Sequence, residues 1–113
     1  MKLCDYTLDN LSNEKNSPNE AAQQLLLDQL PEWQIIPKDD VDQLFCQFKC
    51  ENFVSAMNLA SAITQIAEQA DHHPTLVIEW GKVSVYWWSH WLKGLHLNDF
   101  ILAYKTQELH NIL

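Results

Sequence analysis

The residues best able to do chemistry in this chain are its five histidines, His72, His73, His90, His96 and His110. Histidine is the side chain whose ordinary pKa puts its change of charge near neutrality, so it can give or take a proton at working pH. Two of them are adjacent, in His72-His73-Pro74. Pro74 fixes its own φ and pushes His73 toward an extended conformation. Consecutive extended residues point in different directions, so the pair can flank a ligand rather than stack. His90 follows a β-rich run that folds back at Gly81, which returns it to the neighbourhood of Pro74. Three imidazoles, His72, His73 and His90, are therefore expected to converge; the alternative is histidines scattered over the surface. Glu68 stands four residues before His72 and reaches it if the helix between them continues that far. Glu68 and Asp71 can equally be solvated acids at a helix end. Asp99 falls in the first turn of a helix, where an acid satisfies free N–H groups and the helix dipole without any catalysis.

Those residues need elements to hold them. Residues 9–19, DNLSNEKNSPN, are polar and aperiodic, and residues 1–16 are expected to be a flexible N-terminal segment ahead of a single domain over 17–113. Ser17 is expected to cap a first helix, with Pro18 inside it and Glu20 completing the capping box. Pro31 ends that helix near Leu30. Trp33–Ile36 reads as a short strand broken by a turn at Pro37-Lys38-Asp39-Asp40. Leu44, Cys46 and Phe48 alternate with Gln43, Phe45, Gln47 and Lys49, as in a half-buried strand. Phe53, Ala56, Met57, Ala60, Ile63 and Ala67 recur at helical spacing and predict a helix from about Asn52 to Ala70. Thr75–Trp80 and Lys82–Ser89 form a hairpin around Gly81. A last helix covers roughly Leu97–Leu109. The order α-β-β-α-β-β-α implies an α+β fold: a four-stranded antiparallel sheet with helices on one face. Trp87 and Trp88 must then point to opposite faces of that sheet.

The chain has 113 residues, 7 Lys, no Arg and a net charge of −8, which speaks against nucleic acid or an anionic membrane as partner. No apolar run approaches the roughly 18 residues of a membrane span, and MKLCDYTLDNL lacks the apolar stretch of a signal peptide. Cys4, Cys46 and Cys50 are odd in number and form no C-x-x-C pair, so they are expected to be free thiols in a reducing cytoplasm. With only two glycines and no G-x-S-x-G, P-loop, G-x-G-x-x-G or H-E-x-x-H motif, the sequence offers no phosphate cradle and no zincin site.

Glu68, three residues, His72-His73-Pro74, five residues, Trp80, nine residues, His90, eight residues and Asp99 together form a pattern that resembles the signature of the pterin-4a-carbinolamine dehydratases. Looser similarity extends back to Trp33. The resemblance implies the same α-β-β-α-β-β-α order. It also implies a reaction: loss of water across C4a and N5 of a 4a-hydroxytetrahydropterin, the product left by an aromatic amino acid hydroxylase. The family's catalytic histidines match His72, His73 and His90. Its substrate contacts fall at Pro74 and at Ser89, Trp91 and Leu92, with Glu68 and Asp99 completing the site. The resemblance implies no metal and no cofactor, a small-molecule pterin as the partner, and a homodimer or homotetramer. Two alternatives remain at this level: three histidines with Glu68 or Asp99 holding a metal, or a non-catalytic interaction module, since animal members also serve as dimerisation cofactors of a transcription factor. The chain departs from the family where Thr-Thr-His and Gly-Gly-Leu-Thr are usual. It has Trp88-Ser89-His90, then Lys93-Gly94-Leu95-His96, and Asn98 is expected to take over the capping of the last helix.

Overall fold

The computed structural model describes residues 1–113. The chain forms α1 (Glu20–Leu27), β1 (Gln34–Lys38), β2 (Val41–Lys49), α2 (Phe53–Ala70), β3 (Thr75–Glu79), β4 (Lys82–Trp87) and α3 (Leu97–Ile112), after a single 3-10 turn at Leu3–Asp5. The strands form one antiparallel sheet in the order β1-β2-β4-β3. The expected α+β order is the observed one.

Alternation along the strands decides where the helices lie. Leu44, Cys46 and Phe48 of β2 face the same way as Val83, Val85 and Trp87 of β4, and all six are buried. The helix positions that meet them, Ala56, Leu59, Ile63 and Ala67 of α2 and Phe100, Ile101 and Ala103 of α3, complete one core cluster. Both long helices thus cover one face of the sheet, and Phe45, Tyr86 and Trp88 lie on the other. Trp87 is closed to solvent, and its indole N–H donates to Thr106 Oγ1 at 3.1 Å.

Several local expectations need correction. The cap of α1 is Asn19, not Ser17: its Oδ1 accepts the Ala22 N–H at 2.9 Å, because Asn19 is the extended residue directly before the first helical turn. Pro37 does not break β1. The strand runs on to Lys38, since β1 is at the sheet edge, where a missing N–H is tolerated. The turn is Asp39-Asp40, both at positive φ (53° and 63°), the pattern of a tight hairpin turn. The cap of α3 is His96 rather than Asn98. In the segment 1–16, Leu3 is fully buried in the core, and its N–H donates to Gln29 Oε1 at 2.8 Å.

Candidate active site

The site forms where α2 ends, β3 begins and the loop after β4 returns. Helix α2 stops at Asp71, which adopts the left-handed conformation (φ 50°, ψ 46°). The Asp71 N–H donates to the Glu68 carbonyl at 3.2 Å and the His72 N–H to the Ala67 carbonyl at 3.1 Å, a Schellman closure. This reversal decides which acid meets which imidazole. Glu68 was expected to reach His72, but His72 is no longer on the helical path. It turns inward instead, and its Nε2 lies 2.6 Å from Asp99 Oδ1. Glu68 meets His73, with Oε2 2.5 Å from Nε2.

Asp99 is the centre of the buried half of the site. It is fully closed to solvent. Its Oδ2 accepts the Ser89 hydroxyl at 2.7 Å and the His96 backbone N–H at 2.9 Å. Both donors leave Oδ1 for His72, so His72 donates from Nε2 and keeps Nδ1 as the nitrogen free for chemistry. The His72 ring also stacks on Trp87, with centroids 5.8 Å apart and 26° between planes. His72 is thus held edge-on by a carboxylate and face-on by an indole. The pair His73–Glu68 is of another kind: the two side chains are 56% and 68% exposed, so water screens their attraction.

His90 sits in a tight loop closed by Ser89 and Gly94. The Ser89 N–H donates to the Gly94 carbonyl at 2.8 Å, and Lys93 turns the chain at a φ of 53°. The His90 ring lies flat on Trp88, with centroids 3.9 Å apart and 23° between planes. Trp91, 63% exposed, follows it.

A cleft of about 300 Å³ is lined by Asp71, His72, His73, His90 and Trp91. The three histidines expected to converge do so. Of the other expected site residues, Trp91 lines the cleft and Glu68 stands behind His73. Ser89 and Asp99 are both buried and stand behind His72. Pro74 follows the histidine pair and is half-buried, and Leu92 is half-buried in the loop. Trp80 lies at the far end of the β3–β4 hairpin, away from the cleft, and is exposed. No group of three or more His, Cys, Asp or Glu side chains is placed to hold a metal ion.

Three participants escape a reading of the sequence. Asp71 on the cleft wall reads as an ordinary helix-end acid. Trp88 does carry a signal: it is two residues before His90, the spacing at which strand residues share a face. His96 caps α3 from three residues before Asp99, the spacing of a capping box, but imidazole is not a usual cap.

A family model described as "Pterin 4 alpha carbinolamine dehydratase" matches residues 14–109. The chain belongs to this family. The class of enzyme that the family name denotes is a hydro-lyase. Among bacterial relatives provisionally named pterin-4-alpha-carbinolamine dehydratases, that of Chlorobium luteolum is 50% identical over 84 residues, which are 74% of each chain. That of Marinobacter nauticus is 45% identical over 91 residues, 80% of this chain and 82% of the relative. The crystal structure of a transcriptional coactivator/pterin dehydratase from Brucella melitensis superposes with a TM-score of 0.77 at 25% identity, covering 84% of this chain and 99% of that one. The dehydratase family's match begins at residue 14, so the buried Leu3 lies ahead of the matched region.

Proposed function

We propose that this chain dehydrates 4a-hydroxytetrahydropterin to the quinonoid dihydropterin. The reaction breaks the C4a–O bond, removes the proton on N5 and forms a C4a=N5 double bond, so that one water leaves. It needs an acid to protonate the departing hydroxyl and a base to receive the N5 proton. Imidazoles suit both tasks near neutral pH. The observation that carries the reading is the convergence of His72, His73 and His90 on one cleft, with the first tied to a buried carboxylate. Asp99 holds His72 in the Nε2–H tautomer, which leaves Nδ1 to exchange a proton with substrate. Glu68 and Trp88 orient the other two rings. Trp91, Pro74 and Leu92 supply surface for a flat bicyclic substrate, and a cleft of this size is at the small end of ligand sites.

The sheet, helices and cleft residues that do this lie within 17–113, with residues 1–16 fastened onto them through Leu3, Ser12 and Glu14; the chain acts in the cytoplasm where its thiols stay reduced, and assembles as a homodimer or homotetramer. It serves to recycle the pterin that an aromatic hydroxylation leaves as a carbinolamine. No cofactor enters the reaction as written. The test is stopped-flow absorbance at the band of the quinonoid product, with synthetic carbinolamine and no added metal or nucleotide. Acceleration over buffer is expected. A rate equal to the buffer blank, with folded protein, would refute the proposal.

A further inference from the structure

The first turn of α3 carries more fastening than a helix start requires. Helix caps are ordinarily Ser, Thr, Asn or Asp, short side chains that satisfy one backbone N–H and reach no further. Here the cap is His96, 2% exposed. Its Nδ1 accepts the Asn98 N–H at 3.0 Å, so Nδ1 carries no proton and Nε2 does. Nε2–H then donates to the Glu14 carbonyl at 2.5 Å. A neutral imidazole accepts at one ring nitrogen and donates at the other, on opposite edges of a rigid ring, so the cap is extended across the ring to a second segment of chain.

Asn98 fastens the same segment two residues earlier. Its Oδ1 accepts the Ser12 N–H and its Nδ2 donates to the Ser12 carbonyl, both at 2.9 Å. The segment is itself anchored at its start, where Leu3 is in the core and Gln29 bridges the Leu3 N–H and the Met1 carbonyl at 2.8 and 2.9 Å. On the inner side, the His96 N–H donates to Asp99 Oδ2, and Asp99 Oδ1 meets His72. An unbroken path of hydrogen bonds therefore runs from Glu14 through His96 and Asp99 to a cleft imidazole.

We propose that His96 is a positioning residue for His72. It uses the N-terminal segment as a strap that seats the first turn of α3 where Asp99 can orient the imidazole. A cap that only started the helix would need no second nitrogen and no Ser12 clasp. The path explains why a histidine can stand here although it is an uncommon cap: the strap takes up the far end of the ring, which would otherwise be a buried polar atom without a partner.

The inference rests on the dehydratase reading for its kinetic arm and stands apart from it for its spectroscopic arm. Two variants of the full chain are compared with wild type. His96→Asn can still cap but cannot reach Glu14. Asn98→Ala keeps His96 and Asp99 and removes the Ser12 clasp. For His96→Asn, kcat is expected to fall on the order of tenfold with KM within about twofold, since a small displacement of a catalytic group penalises the chemical step. Asn98→Ala should move kcat in the same direction by less. In the NMR spectrum, the His72 Nε2–H should exchange with water at least about tenfold faster in His96→Asn, as expected when its acceptor is no longer held in place. Should His96→Asn not fold, Asn98→Ala decides on the same two readouts. Unchanged kcat and unchanged His72 N–H exchange in a folded variant would overturn the inference, as would a loss confined to KM. If wild type shows no turnover, the dehydratase reading fails, and the exchange rate alone still decides whether the strap holds His72.

Discussion

Replacing Asp99 by Asn changes one atom and tests how the site is held. The oxygen that accepts from Ser89 and from the His96 N–H has two donors at 2.7 and 2.9 Å; the other faces His72 Nε2 at 2.6 Å. An Asn amide has one oxygen. Two donors outvote one, so the carbonyl takes the Ser89 and His96 side and the NH₂ faces His72. Two N–H groups cannot face each other, so His72 must carry its proton on Nδ1, the nitrogen otherwise free for chemistry. Three charge-assisted bonds, each worth about 1.5–3 kcal/mol, become two neutral ones of about 1 kcal/mol each. A stability loss of about 1.5–6 kcal/mol is expected once the new neutral amide contact to His72, also about 1 kcal/mol, is allowed for. Activity should fall far more than stability suggests. An orienting carboxylate lost in this way inverts the tautomer of its imidazole, and the loss in kcat is expected between about 10² and 10⁴. Ser89→Ala is the control, because it removes one donor and leaves the Asp99–His72 contact; its kcat should stay within about threefold, as for a bond that the chemical step does not use. Stopped-flow turnover gives kcat, and urea unfolding confirms that each variant is folded. A folded Asp99→Asn that keeps kcat within threefold of wild type, or a Ser89→Ala that loses as much, would show that Asp99 does not set the tautomer of His72.

Other outcomes follow from the same geometry. His73→Ala and His90→Ala should each lower kcat by on the order of 10²-fold, with the double variant losing more than the product because imidazoles on one cleft can stand in for each other in the single variants. His110→Ala should leave turnover unchanged, since His110 donates to the Lys49 carbonyl at 3.0 Å and packs on Phe48, remote from the cleft. Glu68→Gln should lose at least about tenfold less activity than Asp99→Asn, because its contact to His73 is open to water. Burial, with a smaller contribution from Glu32, pushes the Cys46 thiol up to about 12, and burial also raises Cys50. A disulfide reagent at pH 8 should therefore modify exposed Cys4 quickly and Cys46 only on unfolding. The folded thiol ionises later than the unfolded one, so its stabilisation is complete below pH 9 and is lost as pH climbs toward 12; the urea midpoint should fall over that window, and less steeply in Cys46→Ala. The free edge of β3 can pair with a second chain, and sedimentation equilibrium at micromolar concentration should give a mass above the 13.2 kDa of one chain; that single-chain mass throughout would count against assembly.

Period and punctuation made most of the fold legible. Leu44, Cys46 and Phe48 alternate because one face of β2 is buried, and Ala56, Ala60, Ile63 and Ala67 recur at helical spacing because one face of α2 is, whereas Phe53 and Met57 of the same series stand exposed. What local pattern could not show was decided by tertiary context. Pro37 breaks an interior strand but not an edge strand, and edge position is a property of the whole sheet. Ser17 and Asn19 are both good caps, and only the path of the backbone chooses between them. The convergence of His72, His73 and His90 was legible because hairpin topology returns the chain to its start. The pairing of acids with imidazoles was not, because it turns on the left-handed Asp71, and an aspartate in that conformation leaves no mark in the sequence. His96 was hidden for a different reason: its function depends on Glu14 and Ser12, more than 80 residues away along the chain.

The three imidazoles share a cleft but not an environment, and the sequence order explains why. His72 and His73 are neighbours after a helix end, so one must turn toward the core and the other toward water. The inner ring meets Asp99, fully buried, where little solvent weakens the contact; the outer ring meets Glu68 among water. His90 comes from the opposite wall, where its ring lies against the face of Trp88. An indole face attracts a protonated imidazole and holds a neutral one by stacking, so it orients His90 without committing its proton. Two proton transfers in one dehydration need groups that differ in how readily they give and take. A chain that placed all three rings against carboxylates of equal burial would have had no means to separate the acid from the base. Here one helix terminus, one buried acid and one indole supply that difference, and the strap across His96 keeps the most deeply held of the three in register.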